Sequence, residues 1–214
     1  MNTTKESSKY SEKHNEGRTQ SLIASFQDTM GLVYAKPLCR ATEKALESSR
    51  VYKEEFVSRG KPGKKQADIL VEESTTFVAA KKYLKFGKVA VLNFANPQVP
   101  GGGVKKGALA QEECLCRSSN LFPCLDANKV FADYYEYHKS LHSYFNSDRL
   151  IYTKGVTVFK DDAIVPEIMP KKQWFQVDVI TCAAPYLAKC KHVNGAVLLE
   201  VFKSRIRNIF EAAC

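Results

Sequence analysis

Three consecutive glycines, Gly101, Gly102 and Gly103, are followed after Val104–Ala110 by an amide and two carboxylates, Gln111, Glu112 and Glu113. Without side chains, the glycines let a loop take positive φ and bring its N–H groups up to an anion. A diphosphate is the natural guest. Neither common nucleotide fingerprint is present: the P-loop Lys-Ser/Thr is absent, and residues 101–106 do not fit G-x-G-x-x-G. Two carboxylates beside a sugar are the equipment of glycoside cleavage, where a protonated one acts as acid and another group steadies an oxocarbenium-like centre. Neighbouring helical residues point about 100° apart, so Glu112 and Glu113 face one cleft only if a helix starts there or one side chain turns inward. Acidic residues in a first helical turn also complement the helix dipole. Spacing by itself leaves both readings open.

The elements around this stretch follow from periodicity. Ahead of the glycines, KVAVLNFA (88–95) is a short apolar run of the kind that fills a buried central strand. Residues 96–107 form a Pro/Gly loop and 108–120 a helix, so strand, glycine loop and helix N-terminus come in the order that cradles phosphates. Upstream, Leu22, Ile23, Phe26 and Met30 recur at helical spacing up to Gly31. Residues 36–70 read as loop with short elements and a turn at Lys61-Pro62-Gly63-Lys64. Ser74 is placed to cap a helix whose face is Phe77, Val78, Leu84 and the stem of Lys81, closed at Gly87. Downstream come a short helix at 130–139 and two short strands about Lys154 and Gly155. A second central strand at 174–184 enters a loop at Pro185. In a final helix at 196–212, Val197, Val201, Phe202, Ile206, Ile209 and Phe210 share a face. Helices alternating with buried strands are α/β grammar.

With 214 residues, 44% of them hydrophobic, the chain has the composition of one folded domain, which excludes collagen-like repeats and disulfide miniproteins. Residues 1–17 are polar without periodicity and read as a disordered leader, leaving 18–214 as the domain. No apolar leader core and no run of about eighteen apolar residues occur, so neither secretion nor membrane spanning is indicated. Seven cysteines in such a chain point to free thiols in a cytoplasmic setting. Net charge is +9, which favours anionic partners, yet the lysines are dispersed in pairs (64–65, 81–82, 105–106, 171–172) and form no dedicated nucleic-acid motif. Cys114, Cys116 and Cys124 lack zinc spacing, so no metal is expected. His138 and His142 read as surface or packing residues. Tyr134, Tyr135, Tyr137 and Tyr144 read as core and cover, with one ring available to stack on adenine.

The run NFANPQVPGGGVKKGALAQEECLCRSSNLF, with VDVITCAAP at 177–185, closely resembles the microbial-type poly(ADP-ribose) glycohydrolases, whose signature is a glycine triplet, a short spacer and Gln-Glu-Glu; here the spacer has seven residues. The resemblance covers about Arg18 to Phe210. It implies a three-layer α/β/α macrodomain-like fold around a mixed sheet, and hydrolysis of ribose–ribose O-glycosidic bonds without metal or redox cofactor. It implies roles too. Glu113 is the acid that protonates the leaving oxygen and then helps water attack, Glu112 holds ribose hydroxyls, and Gln111 orients the substrate. Gly101, Gly102 and Gly103 wrap the diphosphate and distal ribose, and Asn96 lies beside the sugar. An acid must hold its proton near neutral pH, which burial of Glu113 beside the charge of Glu112 would supply.

The implied partners are ADP-ribose, poly(ADP-ribose) and ADP-ribosylated proteins. Two rivals are a hydrolase acting on single ADP-ribosyl groups of protein or nucleic acid, and a non-catalytic ADP-ribose-binding module. Similar proteins continue past the helix equivalent to 196–212 with a strand, a second glycine-rich loop and a helix, whereas this chain stops at Cys214. From that difference, the strand ending near Thr181 is expected to lack its usual neighbour and ligand binding to be loose.

Overall fold

The computed structural model of the protein describes residues 3–53, 67–189 and 192–213; the turn expected at 61–64 and the Lys64-Lys65 pair lie outside them. The first helix, α1 (Thr3–Val33), begins inside the segment read as a disordered leader and passes Gly31. No proline interrupts this segment, and an established helix adds one hydrogen bond per residue. Leu22 and Phe26 are buried as the periodicity requires.

Residues 36–70 hold more than short loops. α2 (Cys39–Ser48) is a full helix, and β1 (Arg50–Tyr52) is a strand. The pattern was easy to miss because the only buried positions of α2 are Thr42 and Ala45, one of them polar. α3 (Thr76–Tyr83) starts after Thr75, which makes no side-chain cap bond, and its inward face is Phe77 and Ala80. Val78 is exposed, contrary to expectation, because it lies off the stripe that Phe77 and Ala80 make at i, i+3 spacing.

A four-stranded sheet follows the order β1-β3-β4-β2, with β2 (Ala90–Phe94), β3 (Leu150–Val158) and β4 (Phe175–Cys182). β1 and β4 run antiparallel to β3, and β2 runs parallel to β4. β4 is central as expected and has neighbours on both sides. β2 is instead the outer strand of the described sheet, and its end residues Ala90 and Phe94 are exposed.

β3 is one strand rather than two. Its register slips between Thr153 and Val156, where Gly155 sits at φ +67° and donates its N–H to Asp178 Oδ1 at 2.8 Å. A bulge adds one residue and flips the parity of the strand. Val156 and Val158 thereby join Ile151 on one face. That face, with Val91, Val177 and Val179, packs under α1, α3 and two further helices, α4 (Gln111–Ser118) and α5 (Leu121–Leu125). Tyr134 and Tyr135 complete this core from a π-helical stretch, 131–136, that joins α6 (Asn128–Val130) to α7 (Tyr137–Ser140). On the opposite face, Leu150, Tyr152, Ile180 and Cys182 receive Ile209 and Ala212 of α8 (Gly195–Ala213). Helices therefore cover both faces of a mixed sheet.

The apolar stripe expected to bury α8 is mostly outside. Of that stripe Val197, Phe202, Ile206 and Phe210 are exposed, while the buried residues of α8 are Arg205 and Asn208. Polar anchoring to loops, rather than hydrophobic periodicity, decides how this helix is turned. No helix of the described residues is long and apolar enough to cross a membrane.

Candidate active site

β2 delivers the chain into a turn at Asn96 and then the glycine loop, and α4 returns from it beginning at Gln111. Glu112 and Glu113 thus occupy the first turn of a helix, the condition under which neighbouring carboxylates share one cleft. Both are nearly sealed, at 3% and 7% exposure. Glu112 Oε2 accepts the Asn96 N–H at 2.7 Å, and Oε1 is reached by Asn93 Nδ2 at 3.4 Å. Burial is the main force on its carboxyl and raises the pKa to about 7, with the charge of Glu113 adding to it; the Asn96, Asn93 and Gly101 donors pull the other way. Glu113 Oε1 accepts the Gly103 N–H at 2.8 Å, and its Oε2 is buried without a hydrogen-bond partner.

The glycines press the loop against these carboxylates. Gly102 sits at φ +56°, and a Cβ there would stand 2.5 Å from Glu113 Oε1 and 3.1 Å from Glu112 Oε2. The loop N–H groups face the protein's own chain in this structure. Gly102 donates to Val99 C=O at 3.0 Å, Gly103 to Glu113, and Gly101 is directed at Glu112. The triplet's visible role is close approach to the two acids.

Gln111 turns away from the cleft. Its Oε1 accepts the Phe94 N–H at 2.9 Å, and its Nε2 donates to Leu92 C=O at 2.6 Å and Thr76 Oγ1 at 3.1 Å. The amide imitates a strand partner on the outer edge of β2. Asn96 holds Glu112 through its backbone, while its Oδ1 accepts from Gln98 and Val99 within its own turn.

Asn93 was not foreseen. It is fully buried mid-strand and donates to Thr181 Oγ1 at 3.2 Å as well as to Glu112. The signal was there: a lone amide within an apolar strand run lacks a packing reason. The cleft itself, about 590 Å³, is lined by Glu112, Glu113, Asn96 and two facing segments, Ser143 to Asn146 and Ala184 to Tyr186. Tyr134 and Tyr135 are core and Tyr137 is half-buried, but Tyr144 lies on this cleft. His138 is buried and packs, whereas His142 is exposed. Among the described residues no three His, Cys, Asp or Glu side chains gather as a metal set, and Cys39, Cys114, Cys116, Cys124 and Cys182 are free thiols.

Residues 33–161 match the family described as microbial-type PARG, catalytic domain. No curated protein matches the chain. Among solved structures, the poly(ADP-ribose) glycohydrolase of Thermomonospora curvata is similar at 29% identity and a TM-score of 0.80, over 91% of this chain and 75% of that one. The same enzyme bound to the inhibitor ADP-HPD aligns at 28% identity and a TM-score of 0.76, over 91% and 74%. The Deinococcus radiodurans enzyme in complex with ADP-ribose aligns at 29% identity and 0.69, over 80% and 70%. The family match spans the glycine loop and both glutamates, and it agrees with a fold likeness that extends over most of the chain. By sequence and by fold, then, this chain belongs to the microbial-type poly(ADP-ribose) glycohydrolases.

Proposed function

We propose that the protein hydrolyses ribose–ribose O-glycosidic bonds of poly(ADP-ribose) and releases ADP-ribose. The observation that carries this reading is Glu113 Oε2. Of the four carboxyl oxygens of the pair, it is the one without a hydrogen-bond partner, and it belongs to a residue lining the cleft. Glu113 donates a proton to the leaving ribose oxygen as the glycosidic C–O bond breaks. The oxocarbenium-like carbon is then attacked by water, whose proton returns to Glu113, so that one water is consumed and the acid is regenerated. Glu112, gripped by Asn96 and Asn93, steadies the ribose from a fixed position. ADP-ribose is accordingly the product held in the cleft, with its diphosphate toward the glycine loop; ADP-ribosylated proteins would be its carriers in the cytoplasm. The two similar structures with ADP-ribose or ADP-HPD bound support this ligand class.

Glu113→Gln keeps the shape and removes the transferable proton. ADP-ribose release from polymer should fall by roughly 10²-fold or more, while calorimetric ADP-ribose binding is retained. Turnover at the wild-type rate would move the acid elsewhere. Release from mono-ADP-ribosylated protein without action on polymer would favour the single-group hydrolase instead.

A further inference from the structure

A second cavity, of about 390 Å³, lies on the outer side of α4 and shares neither acid with the cleft. Cys114, Leu115 and Arg117 line it from α4, residues 74–77 from the start of α3, and residues 162–164 from the loop after β3. Its walls are mainly apolar, with Phe77, Leu109 and Ile164 among them. One charged side chain is set into them fully buried: Arg117, at 0% exposure.

The guanidinium is only partly satisfied. Nη1 donates to Ala108 C=O at 2.8 Å, Nη2 lies 3.7 Å from Cys114 Sγ, a weak acceptor, and Nε has no partner. Among the described residues no carboxylate forms an ion pair with it. Glu113 stands one turn earlier on α4, but its Oε1 is taken by the Gly103 N–H. A buried cation without a counter-ion is costly, and an arginine fork binds a carboxylate through two parallel N–H bonds. The edge formed by Nε and Nη2 is the one left for such a partner, while Nη1 stays on Ala108. α3 begins on the same wall, and the first N–H groups of a helix lack partners within it and favour an anion. Asp162 is the opposing charge; it lines the cavity from the exposed rim, where water screens it.

We propose that this cavity is a second ligand site, for a small carboxylate with an apolar body. The carboxylate takes the Nε–Nη2 edge of Arg117 in place of the Cys114 thiol, and the body lies among Phe77, Leu109 and Ile164. The volume is at the small end of ligand pockets, which run from about 300 to 1,000 Å³. Nothing in this inference depends on what the cleft binds.

The test uses the full chain in a buffer free of other carboxylates. Calorimetry is run with benzoate and with benzyl alcohol, its uncharged counterpart, in the presence and absence of saturating ADP-ribose. Benzoate should bind with a Kd of about 1 mM or tighter, and benzyl alcohol at least about 10-fold more weakly. The benzoate Kd should not change when ADP-ribose is added. Ile164→Trp fills the mouth of the cavity from a residue 58% exposed, and should weaken benzoate about 10-fold or more with the melting temperature retained. Asp162→Asn removes the opposing charge and should tighten it about 2-fold. Arg117→Lys loses the planar fork and should weaken it about 10-fold; if that variant does not fold, the two rim variants decide. Equal binding of benzoate and benzyl alcohol overturns the carboxylate site and leaves an apolar slot. Displacement of benzoate by ADP-ribose places the anion in the catalytic cleft and overturns it too, as does unaltered benzoate binding in Ile164→Trp or no benzoate binding up to about 20 mM. Wild-type protein that fails to bind ADP-ribose would defeat the reading of the cleft, while the benzoate titrations still decide this one.

Discussion

Glu112 and Glu113 are neighbours in sequence with different surroundings. Glu112 is held by backbone and amide donors and is the deeper of the two, so burial lifts its carboxyl to about 7. Between its ordinary value of 4.5 and about 7, the folded chain keeps a proton there that the unfolded chain has released. The folded state binds more protons in this window, so stability present below pH 4.5 is lost as pH rises toward 7. Glu112→Gln has no such proton to lose. Its melting temperature should stay flat from pH 5 to 8 where that of the wild type declines, a divergence of about 3 kcal/mol at most. Parallel curves in calorimetry would show that Glu112 is not the raised group.

At the scale of elements, α4 is positioned by the amide of Gln111 on the outer edge of β2 and not by a cap, since Ala110 offers no side-chain bond. Gln111→Ala removes three hydrogen bonds and leaves the Phe94 N–H and Leu92 C=O to water. A loss of about 1–3 kcal/mol is expected, together with faster hydrogen exchange at the Phe94 amide; unaltered exchange there would refute the edge pairing. α8 supplies the opposite case. Leu199 and Phe210 face solvent, at 53% and 67% exposure. Replacing both by Ser should change stability by less than about 0.5 kcal/mol per site, and fluorescence of a bound apolar dye should fall. A steep drop in denaturant midpoint would mean that this face is covered after all.

For the whole molecule, net charge rather than any one patch governs encounter. A chain of charge +9 attracts a polyanion from a distance, and salt screens that attraction beyond about 8 Å at physiological ionic strength. Raising NaCl from low concentration to about 0.5 M should lower kcat/KM on poly(ADP-ribose) several-fold and leave kcat nearly constant, because the two buried carboxyls are screened far less than charges on the surface. Steady-state kinetics across that range checks it; a kcat that falls in step with kcat/KM would place the salt effect on the chemical step.

The local order of strand, glycine loop and helix was legible in the residues themselves, because glycine conformational freedom, apolar runs and a helix start are short-range properties. So was the pairing of Glu112 with Glu113 at one cleft, which needs only that a helix begin at Gln111. The central placing of β4 followed from the alternation of Phe175, Val177 and Val179 and the small apolar run that succeeds it. What contacts decided lies further apart in the chain. Residue types permit Gln111 and Asn96 to touch substrate; in the fold the open edge of β2 takes the Gln111 amide, while Asn96 lines the cleft with its Oδ1 turned to its own loop. Gly155 reads as a break between strands until Asp178, on the neighbouring strand, shows it to be a bulge. The apolar pattern of α8 places Ile209 inward but leaves Val197, Phe202, Ile206 and Phe210 outside, because two carbonyls and a carboxylate on distant loops hold Arg205 inward. Periodicity records what a helix offers for burial. Which side is buried depends on partners that only the folded chain brings together.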